Sequence, residues 1–188
     1  FDPRAYCRNM LDMIEHIRAA VGKEVELLHD VHERLQPIHA VQFAKDVETY
    51  KLYFLEDALA PEDIEWFRII RQQTATPQAM GELFNHPREW QPLIADKAID
   101  FVRMHISQMG GITPARAVTA FANMYAVRTA WHGPGDTSPV GHAANLHLDV
   151  SCRNFGIQEW PGFSETTFGA RARQKVGPIA VGGTYVDD

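Results

Sequence analysis

The 188-residue chain is poor in cysteine, in surplus positive charge and in long apolar runs, and each shortage excludes a class of protein. Its two cysteines, Cys7 and Cys152, stand far apart and form neither a CxxC metal pair nor the dense framework of a small secreted domain. They read as reduced thiols of a cytoplasmic protein. Lys and Arg number 18 against 24 Asp and Glu, a formal net charge of −6, so no broad positive field serves nucleic acid or an anionic membrane. No apolar run approaches the roughly 20 residues that span a bilayer, and the start, Phe1-Asp2-Pro3-Arg4, has no signal-peptide core. A first residue other than Met leads us to expect a processed or truncated start. GxGxxG, P-loop and GxSxG strings are missing, and His32-Glu33-Arg34-Leu35-Gln36 begins like HExxH without its second histidine. What remains, 45% hydrophobic and 22% charged, has the composition of an ordinary globular protein with one sizeable core.

Short apolar runs alternate with longer amphipathic stretches, the pattern of βα units around a parallel sheet. Six runs are of strand length: 25–30 (VELLHD), 52–57 (LYFLED), 78–82 (QAMGE), 101–105 (FVRMH), 127–132 (VRTAWH) and 154–159 (NFGIQE). Thr113-Pro114 and Ser138-Pro139 each offer a capping hydroxyl before a first-turn proline, and Pro61 opens another helix. Met10, Ile14, Ile17 and Val21 are spaced as one helix face, as are Ile64, Phe67 and Ile70. Units of this kind build either an open doubly wound sheet or most of a (β/α)8 barrel. The turn after the first run, His-Asp-Val-His-Glu-Arg, is no phosphate loop, and complete barrels need about 250 residues, so a barrel with part missing is the better fit. Residues 163–188, richer in glycine and small polar side chains, are expected to be irregular.

The strongest signal is a ladder of carboxylates. Asp30, Glu56 and Glu82 each close a predicted strand, at intervals of 26 residues. In a barrel such ends meet on one rim, and three negative charges held together there call for a divalent cation; oxygen ligands without cysteine select Mg2+ over zinc. The alternative for each acid, and for Asp57 beside Glu56, is a helix cap or a solvated loop. Further along, Arg103 and His105, then His132, then Glu159 occupy strand ends, where they can bind the hydroxyls and carboxylate of a small polar molecule. An Arg103–Glu159 ion pair closing the rim is the structural alternative. His32, two residues past Asp30, lies on the same side if the strand continues, where an imidazole could transfer a proton. His29 should point away, and His16, His39, His86, His142 and His147 read as surface or packing residues.

In the strings LLHDVHERL (27–35), FLED (54–57), GELFN (81–85), RMHISQMGGIT (103–113), HGPGDTSPVGHAANLHLD (132–149) and NFGIQE (154–159), the sequence resembles the enolase superfamily, and within it the mannonate dehydratase group of sugar-acid dehydratases. The resemblance implies an α/β fold, a (β/α)7β TIM-type barrel, here a partial barrel (residues 1–162) without its N-terminal capping domain and first strands. Residues 163–188 would then start the C-terminal part of the capping region. It implies Mg2+ held by Asp30, Glu56 and Glu82, and a sugar acid contacted by Arg103, His132, Asp136 and Glu159. The implied reaction is hydro-lyase chemistry: loss of the proton α to a carboxylate, a metal-stabilised enediolate, then departure of the β-hydroxyl with His32 as acid. D-Mannonate would become 2-keto-3-deoxy-D-gluconate. D-Gluconate is the alternative substrate, and a weakly active or non-catalytic sugar-acid binder in starvation regulation is the alternative role. The family's proton-abstracting tyrosine and its partner arginine lie upstream of these residues. A homo-oligomer, of the order of an octamer, is implied as well.

Overall fold

The computed structural model describes residues 1–135 and 137–160; Asp136 and the expected irregular stretch 163–188 lie outside the described residues. Two compact units divide the chain: Phe1–Gly81 with Pro87–Val102, and Glu82–His86 with the described residues from Arg103 onward.

The first unit is a layer of parallel strands, β1 (Leu28–Asp30), β2 (Phe54–Glu56), β3 (Gln78–Met80) and β4 (Phe101–Val102), paired in that order. Between them run α2 (Pro37–Asp46), α3 (Glu65–Gln73) and α4 (Pro87–Ala95), and α1 (Pro3–Val21) precedes them. Asp2 caps α1 by accepting the amides of Arg4 and Ala5, with Pro3 at the first helical position. Of the apolar line along α1 only Ile14 is fully buried; Val21 is exposed. β2 and β3 are buried on both faces, as strands between helices must be, which explains why they read as unbroken apolar runs. Phe43 of α2, Phe54 and Leu55 of β2, Phe67 and Ile70 of α3, Met80 of β3 and Leu93 of α4 form the core. Each such side chain contributes about 1.5–3 kcal/mol by leaving water.

The paired ladders are shorter than the apolar runs. The run 52–57 yields three strand residues because Asp57 turns to φ 40 right after Glu56, and β1 likewise ends before His32 and Glu33 at φ 53 and 59. Pro61 opens a 3-10 turn (Pro61–Asp63) ahead of α3 rather than the helix itself.

In the second unit, α5 (Ile112–Met124), β5 (Arg128–Thr129) and α6 (Pro139–Ser151) follow one another. The sixth run is reduced to a parallel bridge between Thr129 and Phe155, flanked by the bonds Thr129 N–H to Asn154 O (2.9 Å) and Gly156 N–H to Thr129 O (2.9 Å). Ser138 caps α6 as its sequence predicts, accepting from Gly141 N–H at 3.1 Å. Thr113 does not cap α5. The chain enters that helix through Gly110 and Gly111 at φ 100 and 94, a backbone that glycine alone adopts without strain, and this moves the cap to Gly111. Among the described residues no helix is long and apolar enough to cross a membrane.

Candidate active site

In the first unit, the register of β1 on β2 sets Asp30 directly beside Glu56. Parallel neighbours at one level stand about 4.8 Å apart and send their side chains to the same face. One carboxylate oxygen from each of Asp30, Glu56 and Asp57 lies within 4.8 Å of the others. The loop backbone is tied around them: Val31 N–H donates to Glu56 O (2.9 Å), Glu33 N–H to Asp57 O (2.9 Å) and Asp57 N–H to Ala79 O (3.0 Å). Glu56 is 8% exposed and Asp57 fully buried, so their mutual repulsion is poorly screened by water. An all-oxygen set of this kind suits a hard divalent cation.

Asp57, left open in the sequence between a helix cap, a solvated loop and a functional role, joins this cluster. It is neither solvated nor a cap, since it is fully buried and Ala60 occupies the N-cap position of the next helical turn. The available signal was an acidic doublet still embedded in apolar sequence, LEDALA.

His32 reaches Asp30 by a turn instead of a continued strand. Its main-chain N–H donates to Asp30 Oδ1 at 2.7 Å, and its Nδ1 stands 3.1 Å from Asp30 Oδ2. With Asp30 beside Nδ1, Nε2 is the ring nitrogen on the far side of the imidazole, and the side chain is 57% exposed. His29 points the other way, its Nε2 3.0 Å from the Tyr6 hydroxyl and its ring against Phe43.

The second unit gathers Glu82, Arg103, His132 and Glu159. The Arg103 guanidinium is 3% exposed; it donates to Ala130 O (3.1 Å) and to Glu159 Oε2 (2.8 Å). The ion pair weighed as the structural alternative therefore exists, and it also aims charged groups beside His132. His132 Nδ1 stands 3.1 Å from Glu159 Oε2 and 3.4 Å from Glu82 Oε2. Burial pushes the Glu159 carboxyl up, but hydrogen bonds from His132 and Gly133 N–H (2.7 Å) and the Arg103 charge outweigh it and bring the carboxyl to about 2. Glu159 is thus a fixed anion that orients His132 and Arg103. His105 joins this group, its ring centroid 5.6 Å from that of His132. The expected contact Asp136 lies outside the described residues.

The Enolase C-terminal domain-like family matches residues 4–186. The chain belongs to that family. A D-galactonate dehydratase family member of Musicola paradisiaca is 54% identical over 160 residues, 85% of this chain and 38% of that protein. Another, of Enterocloster bolteae, is 46% identical over 192 residues, 100% of this chain and 46% of the relative. The chain thus spans less than half the length of these relatives. A crystal structure of an enolase from Pantoea ananatis with bound D-gluconate and Mg superposes with a TM-score of 0.89 at 49% identity, covering 100% of this chain and 45% of that one. A second, of an enolase from Agrobacterium radiobacter bound to Na and L-malate, gives 0.79 at 26% identity over 86% of this chain and 41% of that one. The parallel α/β architecture is accordingly that of the enolase superfamily's barrel-like C-terminal domain.

Proposed function

We propose that the protein carrying this chain is a Mg2+-dependent sugar-acid dehydratase, a hydro-lyase of the mannonate dehydratase group on a (β/α)7β barrel. The observation that carries the reading is the buried Arg103 presented with His132 and Glu159, a cation, an imidazole and a fixed anion suited to a polyhydroxy carboxylate. Asp30, Glu56 and Glu82 would hold the metal. The all-oxygen cluster that Asp30 and Glu56 form with Asp57 fits a hard cation, and the Pantoea ananatis relative was crystallised with Mg. Mg2+ when bound would stabilise the negative charge that builds on the substrate as its α-proton leaves.

This chain's own residues would do the rest. Arg103 pairs with the substrate's oxygens, Glu159 accepts from its hydroxyls, His132 hydrogen-bonds them, and Asp136 joins them. His32, protonated at Nε2 while Asp30 holds Nδ1, gives its proton to the departing β-hydroxyl. The proton-abstracting base is supplied from elsewhere in the protein.

D-Mannonate, giving 2-keto-3-deoxy-D-gluconate, is the first substrate. D-Gluconate is the second reading, favoured by its presence in the Pantoea ananatis structure. Full-length protein incubated with each acid sugar, with and without Mg2+, tests this by keto-acid release. Product formed only with metal supports dehydration; binding without product from any sugar acid would make the protein a sensor rather than an enzyme.

A further inference from the structure

Two histidines that the proposed chemistry leaves unused stand beside His132 and the residues that follow it. His142, on α6, is 1% exposed. A β-carbon built on Gly133 would stand 3.2 Å from His142 Cε1, so the imidazole packs directly against that backbone. The same ring meets Trp160, which follows Glu159, edge-on at 4.9 Å and 60°. One ring therefore touches both segments that present His132 and Glu159. The capped start of α6 fixes where it projects from.

His105 stands beside both His132 and Thr137. Its Nδ1 accepts the main-chain N–H of Ser107 at 3.2 Å, which leaves the ring hydrogen on Nε2, facing Thr137 Oγ1 at 3.3 Å. Thr137 is 3% exposed and His105 9%, and the His105 ring lies against that of His132. Burial draws the His142 imidazole below its ordinary value, consistent with a neutral packing ring.

We infer that His105 and His142 are positioning residues that clamp the His132–Gly135 segment and Thr137, so that His132 and Glu159 meet a sugar acid in one fixed geometry. Part of this rests on the dehydratase reading, because the ligand is the one proposed above. A clamp is needed because loop-borne groups are mobile unless packed, and a 1 Å misplacement can cost roughly a hundredfold in rate.

The test uses full-length protein with His142→Ala, His142→Phe, His105→Ala and His105→Gln. Hydrogen exchange at the Gly133 amide, which needs no ligand, is read together with D-gluconate affinity at saturating Mg2+ and with Mg2+ affinity. The alanine variants should speed Gly133 exchange and weaken D-gluconate, each about tenfold or more, with Mg2+ affinity within about twofold of wild type. His142→Phe keeps a ring edge against Trp160, and His105→Gln keeps an acceptor and a donor; both should recover most of the Gly133 protection. Alanine variants that match wild type in exchange and affinity overturn the inference, and so does a failure of both conservative variants to recover protection. Wild-type protein that binds no sugar acid sinks the dehydratase reading, while the exchange measurement still decides the clamp.

Discussion

Gly133 and Glu159 approach so closely that a β-carbon on Gly133 would stand 2.5 Å from the Glu159 carbonyl oxygen. The same glycine gives its N–H to the Glu159 carboxylate at 2.7 Å, so backbone and side chain of Glu159 are both referenced to one residue. Gly133→Ala should therefore push the two segments apart. We expect a loss of about 1–3 kcal/mol in urea denaturation, the usual cost of overpacking a well-packed site. A fall in D-gluconate affinity should accompany it. Unchanged stability would show that the segments separate freely.

Arg103 neutralises Glu159 from a nearly water-free position, and removing it leaves the carboxylate short of its charge partner. Because Glu159 is partly exposed and is also held by His132 and Gly133, Arg103→Met should cost about 1–2 kcal/mol at pH 7, less than breaking a fully buried pair. A carboxyl held near 2 in the fold contributes stability that is complete above the ordinary carboxylate value and is lost as pH falls toward 2. The variant should therefore show a shallower loss of stability between about pH 4 and 2 than the wild type. Parallel acid limbs would mean that Arg103 does not set the Glu159 charge.

The positions of Asp30 and Glu56 were legible because parallel strands in register repeat their ends at the period of the βα unit, and the 26-residue interval reports that period. Strand length was not legible. Apolarity records burial, and burial continues through Ala58 and Leu59 after the ladder has stopped at Glu56. Thr113 looked like a cap because its hydroxyl precedes a proline, yet Gly110 and Gly111 can turn the chain where threonine cannot, and geometry outranked the hydroxyl. Asp57 could not be told apart from a helix cap or a solvated loop because an acid's sequence neighbours do not record its depth. The Arg103–His132–Glu159 group was recognisable as charge in apolar sequence, but its wiring was not. His142, read only as a packing or surface residue, owes its place to the approach of Gly133 and Trp160, which no local pattern encodes.

Glu56 and His32 should separate metal binding from proton transfer. Glu56→Gln removes a charge from the oxygen cluster with Asp30 and should abolish Mg2+-dependent turnover together with Mg2+ affinity in calorimetry. His32→Asn retains the main-chain bond to Asp30, so metal affinity should stay close to wild type while turnover falls roughly a hundredfold or more, the usual size of a lost acid. Equal loss of metal affinity in both variants would make His32 a ligand and remove it from the proton-transfer role.

Asp149, on α6, is 7% exposed, and its carboxylate has no hydrogen-bond partner among the described residues. Burial alone pushes its carboxyl up to about 7. The unfolded chain releases this proton near pH 4, and the folded chain holds it until about 7. Folding is therefore unpenalised below pH 4 and loses stability as pH rises through that window, reaching the full cost of a buried anion above it. Asp149→Asn removes the charge and keeps the shape. It should leave stability at pH 4 nearly unchanged and raise it at pH 8 by on the order of 2–4 kcal/mol, read from urea denaturation across the range. Wild type and variant curves that run parallel from pH 4 to 8 would show that the Asp149 carboxyl ionises in the fold as it does in the unfolded chain.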